Sequence, residues 1–335
     1  MGFLYTFAAM MPAPADISLD DARRLIARAI DKAAQVGARG AFAVVGASGT
    51  LVSGSRMDRG GAGGMARARS KAWISATQQI PSAEHHVRMA TLPAPIAAGF
   101  VACSPEAMFP GAGGMPIFDE EDPGRKVVGG FSASGASIGP FVDIPGVDRR
   151  MLIADGKPAN SEDLVVLWAM RLPYQGQHGD DEKRWLDAFG ELPAEPGLGY
   201  SDPPPASLPE HEWALGVADR AIEEARTRGV RVAVAVVDVR GEPIQQDTME
   251  GAPSAAPFVA EAVAAGAATF QLPSAEVDPV LTSVLPYRVL TVPGGVPVRS
   301  GSVPVRSGGE RVVAGLGVAG ADAGTCQEIA EAALA

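Results

Sequence analysis

The sequence predicts an α+β fold built twice: two tandem copies of an antiparallel-sheet domain covered by helices, each in the order α-β-β-α-α-β-β-α, in a pseudo-two-fold arrangement. Three observations predict it. The 335-residue chain is long enough for two domains of ordinary size. It matches itself at a fixed offset. Within each matching half, helical and strand-like hydrophobic patterns take turns, with capping and turn residues at the joints.

The self-match runs at an offset of 192 without a gap from Arg28 to Glu84. Arg28-Ala29-Ile30-Asp31 returns as Arg220-Ala221-Ile222-Glu223, and Ala43-Val44-Val45 as Ala235-Val236-Val237. Gly49 meets Gly241, Met57 meets Met249, and Gln79-Ile80-Pro81-Ser82-Ala83-Glu84 meets Gln271-Leu272-Pro273-Ser274-Ala275-Glu276. The offset then shrinks. Gly113-Gly114-Met115-Pro116 is matched to Gly294-Gly295-Val296-Pro297, Val127-Val128 to Val312-Val313, and Ser134-Gly135-Ala136 to Ala319-Gly320-Ala321. Repeats this long mean domain duplication rather than a solenoid. Copy one spans 17–145 and copy two 209–335. Residues 1–16 read as a leader or packing arm, and 146–208 as a helical insertion ending in the stiff linker Pro203-Pro204-Pro205.

The elements of copy one follow in order. Ser18 ahead of Asp20 and Asp21 marks a helix start, and Leu19, Ala22, Leu25, Ile26, Ala29 and Ala33 carry its apolar face to the stop at Gly37. Residues 41–47 and 50–56 form a hairpin through Ser48-Gly49. An Ala-rich helix covers 65–79, and Pro81 opens another to about Met89. Strands follow at 115–118 and 127–134. Copy two adds a last helix at 323–334. Copy one lacks it, because Ile138-Gly139-Pro140 breaks the pattern, and a helix near 161–172, opened by Ser161-Glu162-Asp163, is the candidate to fill the vacancy. A second short helix is expected at 180–189.

Composition excludes several classes. The net charge of −11 gives no basic footprint for nucleic acid and would be repelled by an anionic membrane. No apolar run reaches bilayer-spanning length. The apolar stretch 2–11 has no basic residue before it, as a secretory signal would. The expected location is the cytoplasm. Two cysteines give neither a disulfide scaffold nor a multi-cysteine zinc site, and no metal site is expected.

These motifs resemble the GlcG/HbpS family, also found as the C-terminal half of PduO-type proteins. Val236-Val237-Asp238-Val239-Arg240-Gly241 fits the family's V-V-D-x-x-G strand motif, where copy one has Gly46 in place of the acid. Lys71-Ala72 fits its lysine-bearing helix, where copy two has Val263-Ala264. Both copies keep the P-S-A-E and G-G-x-P elements. The resemblance implies a sheet-and-helix fold, an oligomer-prone surface and small-molecule binding, in some members of haem or a corrinoid.

Candidate site residues concentrate in copy one. Lys71, with Arg67 one helical turn earlier, matches the family lysine and reads either as an anion holder for a carboxylate or haem propionate, or as part of a solvated basic face with Arg69. His85 and His86 are candidate iron ligands or acid/base groups; copy two has Val277 and Asp278 there. The glycine turns at Gly113-Gly114 and Gly294-Gly295 allow close backbone approach to a ligand, and Gly60-Gly61-Ala62-Gly63-Gly64 opens the Lys71 helix. Cys326 stands where family members often carry Asp, but an inert core thiol is the better reading. Cys103, after the apolar run 96–102, reads as core, and Asp119-Glu120-Glu121-Asp122 as a solvated loop. His178 and His211 fall in or beside the linker. A pocket near the pseudo-two-fold, framed by the Lys71 helix and the glycine turns, is expected. The predicted function is binding of a small ligand (haem, a related tetrapyrrole or a small organic acid), with self-association. The alternative is an enzyme on a small organic acid or aldehyde, with Lys71 as anion holder and His85 or His86 as acid/base.

Overall fold

A computed structural model describes residues 17–35, 38–104, 107–109, 111–119, 126–136, 153–154, 157–158, 161–171, 211–273, 276, 301–308 and 311–335. Copy one contributes α1 (Leu19–Gln35), β1 (Ala41–Gly46), β2 (Leu51–Arg56), α2 (Gly64–Gln78), α3 (Ser82–Ala90), α4 (Ala94–Cys103), β3 (Gly114–Phe118) and β4 (Val127–Ser134). A two-residue-strand hairpin, β5 (Ile153–Ala154) and β6 (Lys157–Pro158), precedes α5 (Ser161–Met170). Copy two contributes α6 (His211–Thr227), β7 (Ala233–Asp238), β8 (Pro243–Thr248), α7 (Ala256–Phe270), β9 (Ser302–Ser307), β10 (Arg311–Ala319) and α8 (Ala323–Leu334). The expected helix at 180–189 and the loop acids Glu120 to Asp122 lie outside the described residues.

The two copies share one eight-stranded antiparallel sheet, ordered β3-β4-β1-β2-β8-β7-β10-β9. Strands β2 and β8 hold equivalent places in their copies and pair with each other: Ser53 faces Asp247, Gly54 faces Gln246 and Ser55 faces Gln245. Gly54 and Gln246 are themselves equivalent at the offset of 192, so the pseudo-two-fold passes between them. This is the geometry of an isologous dimer interface closed within one chain, and it leaves neither inner strand as an open edge.

Both faces of the sheet are covered, which is why β1 and β7 are buried along their whole length. On one face α1 and α5 seal copy one while α6 and α8 seal copy two. On the other, α2 packs on β1 and β4, and α7 on β7 and β10. Glycines set that second contact. A Cβ at Gly130 would stand 2.1 Å from the carbonyl oxygen of Ala72, and one at the equivalent Gly315 would stand 2.2 Å from that of Ala264. Helix α5 lies against α1 as α8 lies against α6. Leu164, Val165, Val166 and Leu167 are buried, and the Lys32 ammonium sits 4.5 Å over the Trp168 ring.

The backbone caps across the interface obey the pseudo-two-fold, and its ion pairs do not. Leu19 and His211, equivalent helix starts, donate their N–H groups to Glu250 and Asp58 of the opposite copy (3.1 and 2.8 Å). Arg69 and Glu261, also equivalent, pair with each other at 2.9 Å. Two identical copies would place like charges there. On the α1/α6 face the buried Asp247 carboxylate accepts from Arg23, Ser53 and Gln245.

Candidate functional site

Helix α2 carries Lys71 and Arg69 two residues apart, hence about 200° apart around the helix. Arg69 faces the pseudo-two-fold and Lys71 faces away from it. The Lys71 side chain is 1% exposed, which removes the solvated-basic-face reading. Its Nζ donates to the Glu162 carboxylate (2.6 Å) and to the carbonyl of Ala112 (2.8 Å). Burial pushes its pKa down, opposed by the charges of Glu162 and Asp163. The anion that Lys71 holds is therefore one the chain supplies from α5.

Around that pair the glycine turn is clasped shut. Gly113 N–H donates to Asp163 Oδ1 (2.6 Å), Gly135 N–H to Glu162 Oε1, and Gly114 N–H to Ser82 Oγ (2.9 Å), which in turn donates to the carbonyl of Gly111 (2.7 Å). A Cβ at Gly114 would stand 2.7–2.9 Å from the Lys71 carbonyl and the Ser75 and Ser82 hydroxyls. Gly113, at φ 106°, needs glycine's freedom. The close approach is to protein, not to an open cavity. Among the described residues the turn and the axis lie on opposite faces of α2, as Lys71 and Arg69 do.

Asp163 is fully enclosed, and its pKa is pushed up to about 7 by burial; the Glu162 charge adds to the rise, and the Gly113 N–H and Lys71 oppose it. A folded-state value above the unfolded 3.8 means that the native state favours the protonated carboxyl. The stability this group contributes is complete below about pH 4 and is lost as pH rises through 7. Asp163→Asn, which keeps the acceptor, is expected to flatten a slope of up to about 1.4 kcal/mol per pH unit in that window. Urea unfolding of both proteins from pH 4 to 8 checks this, and parallel curves would refute it.

Among its described residues copy two lacks this constellation. Val263 replaces Lys71. Sheet register puts Pro304 opposite Gly315 as Pro116 stands opposite Gly130. The counterpart of Gly113 is therefore Gly301, with φ 129°, and not Gly294. Gly294 and Gly295 lie outside the described residues. Gly301 N–H donates to Gln327 Oε1 (3.0 Å), and its Cβ would meet that of Cys326. Cys326 thus takes the place of Glu162, and Gln327 that of Asp163. The acids of copy one come from the insertion.

His85 is buried and His86 exposed on α3. Burial, with Arg88 and His86 nearby, holds the His85 imidazole below its ordinary pKa, so it is neutral at pH 7. Neither imidazole shares a hydrogen bond with Lys71 among the described residues. Arg67 donates weakly to Ser134 Oγ (3.3 Å) and lies 6.0 Å over the Phe109 ring. Helix α4 buries none of its residues, and Ile96, Phe100 and Val101 are each about half exposed. The run 96–102 is therefore surface, and Cys103 is an exposed thiol. Cys326 is buried, and burial raises its pKa. A chromogenic thiol reagent is expected to titrate one thiol rapidly in the native protein and both in denaturant. Two fast thiols in the native state would contradict this placement. His178 lies outside the described residues. The His211 ring packs at the start of α6 and its pKa is lowered by burial. No cluster of three or more metal-ligating side chains occurs among the described residues.

A family model described as "Haem degrading protein HbpS-like" matches residues 17–139 and again 210–335. The chain belongs to the HbpS-like family. It carries the HbpS-like domain twice. Among solved structures it is similar to HbpS (31% identity over 41% of this chain and 91% of that one, TM-score 0.36). It is also similar to the Klebsiella pneumoniae protein ORFY (20%, 41% and 94%, TM-score 0.37) and to a PduOC–haem complex (22%, 36% and 88%, TM-score 0.34). A comparison with curated proteins found no match. Among the described residues no helix is long and apolar enough to cross a membrane.

The sequence reading missed Glu162 and Asp163 as site residues. They were visible only as acids in the first turn of a helix. The signal that could have found them is the buried position of Lys71 on its helix, since an ammonium there requires a carboxylate.

Proposed function

We propose that this HbpS-like protein binds a haem-class tetrapyrrole on the α3–α4 face of copy one. The observation that carries the reading is the company kept by His86. It is an exposed imidazole on a helix that also exposes Val87, followed by α4 with Ile96, Phe100 and Val101 and by the exposed Phe109. These residue types fit the group. A neutral imidazole ligates iron, large apolar side chains cover a macrocycle, and Arg88 and Arg67 provide guanidiniums for propionates. Bound haem would supply iron chemistry. His86 would hold the iron, and the buried His85 would hold α3 in place. The Lys71–Glu162–Asp163 cluster is a positioning device in this reading, since it clasps the 111–114 turn while Ser70 of the same helix accepts the Phe109 N–H. The family description and the haem complex of PduOC support the same ligand class.

The enzyme reading has less support, because Lys71 is already occupied by Glu162 and so is not available to a substrate. Titration of haemin into the full chain tests the proposal. A saturable Soret shift at one haem per chain is expected, weakened about ten-fold or more in His86→Ala. A non-saturating spectrum, or unchanged affinity in His86→Ala, would overturn it. Light scattering on the same samples asks whether a second copy covers α4 instead. A dimer that Phe100→Asp dissociates, with no haem uptake, would favour self-association over the ligand.

A further inference from the structure

We infer that a groove between α1 of copy one and α6 of copy two binds a small organic monocarboxylate through Arg231 and Arg226. The groove holds about 330 Å³ and is lined by Leu19, Arg226, Arg231, Met249 and Glu250. That volume is at the lower end for small-molecule sites. The walls differ in chemistry. Leu19 and Met249 are buried residues that present apolar atoms, and the two guanidiniums stand at the rim.

The charges are unequal in their engagements. Glu250 accepts the Leu19 N–H and so caps α1. Arg226 reaches only the exposed Glu223, at 3.5 Å. Arg231 has no ion pair or hydrogen-bond partner among the described residues. Arg23, Arg56, Arg69, Arg228 and Arg240 of the same chain are all paired. In a protein of net charge −11, an exposed guanidinium with no partner among the described residues, at the rim of a mostly polar groove, is open to an anion.

The pseudo-two-fold supplies an internal control. The equivalent positions on the other side are His211, Ala34, Arg39, Met57 and Asp58. The second arginine is replaced by Ala34, and the Arg39 guanidinium is turned onto the carbonyl of Ala38 at 2.9 Å. The arginine pair belongs to one groove of the two. Two guanidiniums and one carboxylate leave a single net positive charge, which suits a monoanion, whereas a dianion would face Glu250. Leu19 and Met249 offer a small apolar contact, enough for a short hydrocarbon tail. The site shares no residue with the proposed haem surface.

The test is calorimetric titration of hexanoate into the full chain at low salt, with hexanol and inorganic phosphate as comparison probes. Saturable binding of one hexanoate per chain is expected, with none of hexanol and weaker binding of phosphate. Arg231→Ala is expected to weaken hexanoate about ten-fold or more, with Arg226→Ala as the independent second variant. Glu250→Gln, which keeps the α1 acceptor, should tighten it. The haemin titration of Arg231→Ala should match that of the wild type, which separates this site from the first. Absence of saturable hexanoate binding, equal binding by both arginine variants and the wild type, or tighter phosphate than hexanoate would overturn the assignment.

Discussion

Lys71→Ala is expected to destabilise the protein by about 3–5 kcal/mol, the usual cost of removing one partner of a buried ion pair. The ammonium pairs with Glu162, and its charge also bears on the enclosed Asp163. Without it two carboxyls from the first turn of α5 remain inside, and Ala112 loses a donor. The effect is therefore larger than that of the side chain's packing alone. Urea unfolding at pH 7 measures it. Glu162→Gln in the Lys71→Ala background should recover part of the loss, since it removes the stranded charge. A loss below about 1 kcal/mol would mean that the cluster relaxes into water. Secondary structure should hold outside α5 and the 111–114 turn, because four separate core clusters hold the rest.

The duplication and most helices and strands were legible in the sequence, because each is fixed by local pattern, but α4, the β5–β6 hairpin and the position of β9 were not. The 41–46 and 51–56 hairpin, the Ala-rich α2 and the closing α8 depend on periodicity and on turn residues that act within a few positions. What was not legible depends on distance. The joining of both halves into one sheet through β2 and β8 is a choice of edge, and edges carry no signature beyond alternation. The glycine turn of copy two was matched to 294–297 on its Gly-Gly-x-Pro pattern, but Val-Pro-Val-Arg-Ser-Gly occurs at both 296–301 and 303–308. Only pairing with β10 selects the second. Helix α4 is apolar on every side, so its sequence cannot say which face is covered. The partner of Lys71 sits 91 residues away, on an insertion that matches nothing in copy two.

The acid that copy two keeps and copy one lacks gives the second large effect. Asp238→Ala is expected to cost about 3 kcal/mol, again by stranding a buried partner. Asp238 accepts from Arg56 of copy one (2.9 Å), from the Arg240 side chain (2.9 Å) and from the N–H groups of Arg240 and Glu242 (2.8 and 3.2 Å). It thus closes the β7–β8 hairpin and ties the two copies together. Arg56 is buried and also donates to the carbonyls of Pro243 and Gly60. Burial alone would raise the Asp238 pKa, but the Arg240 hydrogen bonds, Arg56 and the Glu242 N–H hold it below the ordinary carboxylate value. Its stabilisation is therefore present above about pH 4 and lost as pH falls through the folded-state value. The gap between wild type and Asp238→Ala should close in acid. Under the offset of 192, Asp238 maps to Gly46 and Arg56 to Thr248. An interface of two identical copies would hold this bridge twice, and here its second instance is missing both acid and base together. Thr248 Oγ1 is buried without a partner among the described residues. Loss of one member alone would strand a charge, and loss of both leaves a neutral site. A double-mutant cycle on Arg56→Ala and Asp238→Ala measures the same rule on the surviving bridge. A coupling of about 1–3 kcal/mol is expected, with the double variant more stable than the sum of the singles predicts. Strict additivity would show that Asp238 acts only on its own hairpin and that the copies are held by the sheet and by Arg69–Glu261.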